Sequence, residues 1–355
     1  MIATEEKSDA RAATAVDSVD RAPGTPLLDV GDLSVEFFSP GGPVRVVDGV
    51  SFSVGAGETL AILGESGSGK SMTALAIMGL VPHPAGRIVA GHIAFDGIDL
   101  TTQTAEYRRL VRGAGIAMIP QDPLTSLNPV HRIGDQIGEA LRWRAGLSRA
   151  AARAAAYDLL GDVGIPDPRR RLDEYPHQFS GGMRQRAMIA MALAMHPRLL
   201  IADEPTTALD VTVQAQIMEL LQTLQRDRGM SLIIISHDLG VVAEAASRVC
   251  VMYAGRVAET GPIRDVYENA GHPYTRGLLR SIPRIDQRLP RMEPIKGLPP
   301  DPAKLPVGCA YSPRCEWAAP ICTQPPPLVQ VERSRPVDHC AACHFTNDQA
   351  RASRN

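Results

Sequence analysis

Cysteine is almost missing from most of this chain. Of six cysteines, only Cys250 precedes position 309. That excludes a disulfide-framed fold for the bulk of the sequence. Long apolar runs are missing as well. A bilayer span needs about eighteen to twenty apolar residues, and the longest candidate, AMIAMALAM at 187–195, has nine. A role at a membrane must then come through a protein partner. There is no excess of charge of either sign: 37 basic side chains against 39 acidic ones leave a formal net charge of -2. Composition therefore makes no case for a nucleic-acid partner. No tandem repeat occurs. The leader MIATEEKSDARAATAVDSVDRAPGTP has early acidic residues and no apolar centre. It reads as disordered over 1–26 and not as a signal peptide, so the expectation is a chain that stays in the cytosol.

What is present is ordinary soluble-protein material. The 355 residues are 44% hydrophobic and 21% charged, enough for one large α/β domain and a smaller unit. From residue 27, LLDVGDLSVEFF and VRVVDGVSFSV alternate like strands around SPGGP. TLAIL, GIAMIP, RLLIADEP and MSLIIISHD read as strands, and TVQAQIMELLQTLQRDRG and GVVAEAAS as helices. RVCVMYAGRVAETG reads as a hairpin, and residues 79–100 as short extended pieces. Helical stripes at 135–145 and 149–162 predict a helical subdomain over about 122–180. Near-continuous apolar strands alternating with helices predict a mainly parallel sheet over 27–280. Beyond 281 come seven prolines in twenty-six residues, an extended crossing that leads into a cysteine-rich end, 281–355.

GESGSGKS, residues 64–71, follows an apolar strand and opens a helix, the context that a phosphate-binding loop requires. Gly64, Gly67 and Gly69 let the backbone curl, so that the N–H groups of Glu65, Ser66, Ser68 and Met72 are available to phosphate oxygens. Lys70 is placed for the β- and γ-phosphates and Ser71 for Mg²⁺. LLIADEP delivers Asp203 and Glu204 at the carboxyl end of a buried strand. Asp203 suits the Mg²⁺ water shell, and Glu204 suits polarising a water in line with the γ-phosphate. Gln121 also ends a strand, where it could touch Mg²⁺ or the γ-phosphate, and His237 follows another, where it could hydrogen-bond that phosphate. A second glycine loop, FSGGMRQR at 179–186, opens a helix behind a capping serine. One nucleotide needs one phosphate loop, so the second implies a partner copy.

GESGSGKS, IPQDP, FSGGMRQR, LLIADEP, TALD and ISHD, in this order, resemble the ATP-binding subunits of ABC transporters over about residues 27–280. The resemblance implies an α/β, P-loop ABC-type nucleotide-binding domain with a helical subdomain, plus a small irregular cysteine-rich C-terminal domain. It implies two ATPases closing head to tail on two ATPs. Ser180, Gly181, Gly182 and Met183 of one would face the γ-phosphate held by Lys70 of the other, with Asp210 in support. Many relatives carry Gln where this chain has Met183, which leaves the backbone donors intact. Glu204 would be the base, Gln121 and His237 the γ-phosphate sensors, and Phe37 the adenine platform, with Phe38 as the alternative.

QDPLTSLNP, ADEPTTALDVTVQAQI, GHPYTRGLL and GLPP resemble the oligopeptide/dipeptide importer branch. That implies a motor at the cytoplasmic face of the cell membrane. Its partners would be two permease subunits, a second, paralogous ATPase and an extracytoplasmic peptide-binding protein. A nickel or other small-solute importer of the same branch is the alternative, and a non-transport ABC ATPase a more distant one.

Cys309, Cys315 and Cys322 are spaced C-x5-C-x6-C, with Cys343 twenty-one positions on and Cys340 as a spare. Thiols this dense in a reducing compartment suggest a metal or cluster, and spacing leaves zinc and iron–sulfur open, with unligated or regulatory thiols as the third reading. The resemblance to peptide-importer ATPases implies a [4Fe-4S] cluster on Cys309, Cys315, Cys322 and Cys343, cross-linking a segment with little core of its own.

Overall fold

The computed structural model describes residues 25–207, 209–281, 295–332 and 338–348. The leader expected over 1–26 lies almost wholly outside the described residues, as does 282–294 of the proline-rich crossing. In chain order the strands are β1 (Leu28–Ser39), β2 (Gly42–Val54), β3 (Thr59–Leu63), β4 (Gly86–Phe95), β5 (Ile98–Asp99) and β6 (Ile116–Ile119). They continue as β7 (Leu199–Asp203), β8 (Ser231–Ser236), β9 (Arg248–Tyr253), β10 (Arg256–Pro262), β11 (Leu328–Gln330) and β12 (Cys340–Ala342). Among the described residues no helix is long and apolar enough to cross a membrane.

The chain divides into two compact units. One holds Gly55–Glu58 and Thr102–Ile233 together with the first described residues. Its β6 and β7 pair in parallel, Ile116 opposite Leu199 through Ile119 opposite Ala202. Every residue of β7 is buried, as an apolar run covered on both faces should be. Helices follow where the stripes predict them, at Ile133–Trp143 and Arg149–Asp162. The second of these is capped by the Ser148 hydroxyl on the Ala151 N–H. Helix Gly181–Leu193 and helix Val211–Arg228 complete the unit. Helix Ala105–Ala114 was not anticipated; Thr104 caps it, and non-helical Arg112 and Gly113 kink its end.

The other unit holds Leu28–Val54, Thr59–Thr101 and Ile234 onward. One of its sheets has the order β2-β1-β4-β5, antiparallel throughout. The pieces expected at 79–100 form the single ten-residue strand β4 and its short partner β5. A second run has β3 parallel to β9, then β10, β12 and β11 antiparallel in turn. The mainly parallel expectation therefore holds for β3 with β9 and for β6 with β7, and not for β10, β12 and β11 or for the separate sheet β2-β1-β4-β5. GVVAEAAS gives only the single turn Leu239–Val242. Both Ala245 and Ala246 donate to the Val242 carbonyl, a shared acceptor of the kind found where a helix ends.

The cysteine-rich end borrows a core from the rest of its unit. Strand β12 adds to β10, Glu259 opposite Ala341. Behind that edge the Glu259 carboxylate, fully buried, accepts from the N–H groups of Gly271 and His272 at 2.6 and 3.0 Å. His339, also fully buried, meets the same carboxylate through Nε2 at 2.7 Å. Gly271 admits the close packing: a Cβ there would stand 2.8 Å from Val331 and 2.9 Å from Ala341. Arg276 lies 4.8 Å over the Trp317 ring.

Candidate functional site

In the second unit, β3 is buried along its whole length and ends at Gly64. The loop then turns through Gly64, Gly67 and Gly69 at φ of 154°, 79° and 99°. Glycine is required here for two reasons. These angles disfavour any side chain, and a Cβ on Gly64 or Gly69 would lie 2.2 Å from the Met252 carbonyl or 2.7 Å from that of Val46. Helix Lys70–Ile77 begins at once, with Thr73 bonding the Gly69 carbonyl through N–H and hydroxyl. Lys70 is 4% exposed, and its Nζ donates to the carbonyls of Gly64 at 2.7 Å and Glu65 at 2.9 Å. A buried ammonium over a curled backbone at a helix N-terminus is a cradle for polyanionic phosphate. The buried Ser68 hydroxyl has no hydrogen-bond partner among the described residues, which fits an anion acceptor arriving there.

Phe37 packs its ring against Gly86, where a Cβ would be 2.8 Å away. Phe38 is 55% exposed with Arg87 stacked over it at 4.8 Å. His237 is exposed just after β8, and Ser71 and Met72 are half-buried in the first helical turn.

In the first unit the structure brings two predicted residues together. Glu204 follows Asp203, which is 4% exposed at the end of β7. One Glu204 oxygen accepts from the Gln121 amide at 2.9 Å and from the Thr207 hydroxyl at 2.9 Å. Glu204 holds φ 46°, unusual for a residue with a side chain and characteristic of functional turns. Thr207 was not foreseen, although its place three residues on in the same turn is the available signal. The second glycine loop is exposed at Ser180 and Gly181. Ser180 caps its helix by accepting from the Met183 N–H at 3.3 Å. Gly182 sits where a Cβ would be 2.9 Å from Val213. Asp210 caps helix Val211–Arg228 through the Val213 N–H at 2.9 Å.

The oxygen donors Ser71, Gln121 and Asp203 have the chemistry of Mg²⁺ ligands. Because the Gln121 amide nitrogen is engaged with Glu204, its amide oxygen is the atom suited to a cation.

The expected [4Fe-4S] cluster, and zinc in its place, are overturned. Cys309, Cys315, Cys322 and Cys343 do line one cavity, with His272, Tyr311 and Phe345, but its volume is about 10 Å³, room for a single water. Among the described residues no group of three or more His, Cys, Asp or Glu side chains stands in an arrangement that could hold a metal ion. Burial also favours the neutral thiol over the thiolate that binds metal, pushing Cys343 up to about 12 and Cys315 up to about 11. Instead these cysteines knit the turn: the Cys309 N–H donates to the Cys322 carbonyl at 2.9 Å. Cys340 lies in β12. Cys250 is fully buried.

Residues 47–207 match the ABC transporter family, and residues 258–322 match the C-terminal region of oligopeptide/dipeptide transporters. The chain is 51% identical over 318 residues to the dipeptide transport ATP-binding protein DppD of Haemophilus influenzae, covering 90% of this chain and 95% of that one. Among solved structures it resembles the dimeric ATP-binding cassette MJ0796 in a post-hydrolysis state bound to ADP and Pi. There the identity is 26% and the TM-score 0.60, over 67% of this chain and 99% of the other. It also resembles cbiO1 of Clostridium perfringens, part of the ABC transporter complex cbiONQ. That match has 28% identity and a TM-score of 0.58, over 68% of this chain and 91% of the other.

Proposed function

The chain belongs to the ATPases of ABC transporters, in the peptide-import branch, and from that premise we propose that it drives a membrane importer for short peptides. What supports the reading most is the 51% identity to a dipeptide transport ATP-binding protein across both the ATPase domain and the C-terminal region. In this reading the chain works at the cytoplasmic face of the membrane, on two permease subunits, beside a paralogous ATPase. A separate binding protein outside the membrane captures the peptide, which this chain never touches.

On ATP binding, Lys70 exchanges the Gly64 and Glu65 carbonyls for β- and γ-phosphate oxygens, so the loop is already shaped for its ligand. Ser71, Gln121 and Asp203 would hold Mg²⁺, which when bound neutralises phosphate charge. Glu204 takes the proton of the attacking water. The Gln121 amide and the Thr207 hydroxyl fix its carboxylate for that task. His237 senses the γ-phosphate, and Phe37 offers the face on which adenine stacks. The loop Ser180–Met183, supported by Asp210, completes the nucleotide site of the other ATPase. The domain limits 27–280 and 281–355, with the helical subdomain at 122–180, are part of the same proposal.

The test is a vesicle-reconstituted importer carrying Glu204→Gln. ATP binding should persist, while turnover falls by about 100-fold or more and uptake of labelled dipeptides stops. Wild-type turnover in that variant removes Glu204 as the base. Intact hydrolysis by the unmodified importer, with no peptide taken up, removes the cargo.

A further inference from the structure

The phosphate loop carries an acidic side chain, Glu65, at the place where a polyanion is to bind. An unpaired carboxylate there repels triphosphate. The structure pairs it with a residue 249 positions away. The Arg314 guanidinium donates both terminal nitrogens to the Glu65 carboxylate, at 2.6 and 3.0 Å. This two-pronged geometry fixes the plane of the carboxylate as well as offsetting its charge.

We propose that Arg314 is a positioning residue of the nucleotide site: by holding and neutralising Glu65, it lets the C-terminal region set the affinity for ATP. The inference rests on the phosphate loop being the ATP site.

Three observations carry it. Arg314 is itself locked, its Nε donating to the Lys296 carbonyl at 2.9 Å and its side chain only 6% exposed. Glu65 is held on its other side, its N–H donating to the Tyr274 hydroxyl at 2.7 Å. Tyr274 in turn packs its ring, tilted, against Tyr253 and against Tyr311, which is three residues before Arg314, at centroid distances of 4.6 and 5.6 Å. Lastly, the Glu65 carbonyl is one of the two that receive the Lys70 ammonium, so the braced residue itself touches the phosphate-binding cation. Attaching the C-terminal region does not require this pair. The Glu259–His339 contact and the β10–β12 pairing already do so.

The experiment titrates the full chain with a fluorescent ATP analogue and Mg²⁺, alongside its melting temperature. Arg314→Gln should weaken binding about tenfold by exposing the Glu65 charge, and the loss should shrink at high salt. Adding Glu65→Gln to that variant should restore affinity to within about threefold of wild type, which a purely structural role of Arg314 would not do. Arg314→Lys keeps the charge without the fork and should fall between; it also serves if Arg314→Gln does not fold. Wild-type affinity in both Arg314 variants, or a loss that Glu65→Gln does not relieve, overturns the proposal. Lys70→Ala run in parallel separates the two readings: if it binds the analogue like wild type, the ATP site itself is misplaced.

Discussion

Two glycine loops open helices in this chain, and they are built in opposite ways. The first, Gly64–Gly69, is braced by its own chain. Its three glycines hold positive φ, Gly64 and Gly69 against neighbouring carbonyls, and its carbonyls hold the buried Lys70 ammonium. The second, Ser180–Met183, has no positive φ and one internal cap, and it leaves Ser180 and Gly181 exposed. A loop of the first kind is shaped entirely by contacts within its own chain. A loop of the second kind presents helix N-terminal donors outward, which suits a phosphate carried by another subunit. The contrast is the physical content of the head-to-tail proposal.

The sharpest way to break the contrast is to disable the first loop. Lys70→Ala removes the buried cation and should abolish ATP binding to the isolated chain, by 100-fold or more, about 3 kcal/mol. Equilibrium titration with the fluorescent analogue reads this directly. Changes in the second loop should leave that same titration unmoved, because the isolated chain binds through the first loop alone. If both loops prove equally necessary in the monomer, the division of labour is wrong.

Much of this was legible in the sequence, for identifiable reasons. Strands β3, β7 and β8 are buried on both faces, so they must be apolar runs, and TLAIL, LLIAD and SLIIIS announce themselves. Local chemistry shows equally well: Asp210 and Ser180 stand where caps belong, and Glu204 lies beside the strand end that supports it. Long-range pairing leaves no local trace. Nothing near Glu65 points to Arg314, and nothing near Glu259 points to His339. The thiols mislead for the same reason. Spacing along the chain says that cysteines are near one another, but not that burial leaves them protonated around a space of about 10 Å³.

A second test uses acid against the brace of the first loop. His272 is fully buried, and its Nδ1 accepts from the Tyr274 N–H at 3.0 Å, which requires that nitrogen unprotonated. Burial lowers its pKa to about 4 from 6.5, opposed by the charge of Glu259. The unfolded chain therefore binds more protons between those values, and stability falls as pH drops through that window. A shift of this size corresponds to about 3 kcal/mol when integrated from neutral pH to pH 4. Denaturant melts at pH 7.5 and 4.5 should show the loss. His272→Asn, which keeps an acceptor for Tyr274 but does not titrate, should remove most of it. A pH dependence unchanged in His272→Asn would mean that other groups carry the acid sensitivity.

The smallest effect is also the most discriminating for the second loop. Ser180→Ala deletes the cap on Met183 and should cost about 1 kcal/mol in a melt. Ser180→Asp keeps a good cap, and a negative charge at a helix N-terminus favours the helix, so its melting temperature should match or slightly exceed wild type. The same carboxylate would meet the γ-phosphate of the partner ATPase head on, so ATP turnover by the assembled pair should collapse. The two variants thus part company: Ala loses stability and keeps much of its activity, while Asp keeps stability and loses activity. ATPase assays on the assembled complex decide it. Full turnover in Ser180→Asp would mean that this exposed loop is only a well-capped helix start, and the difference between the two loops would carry no function.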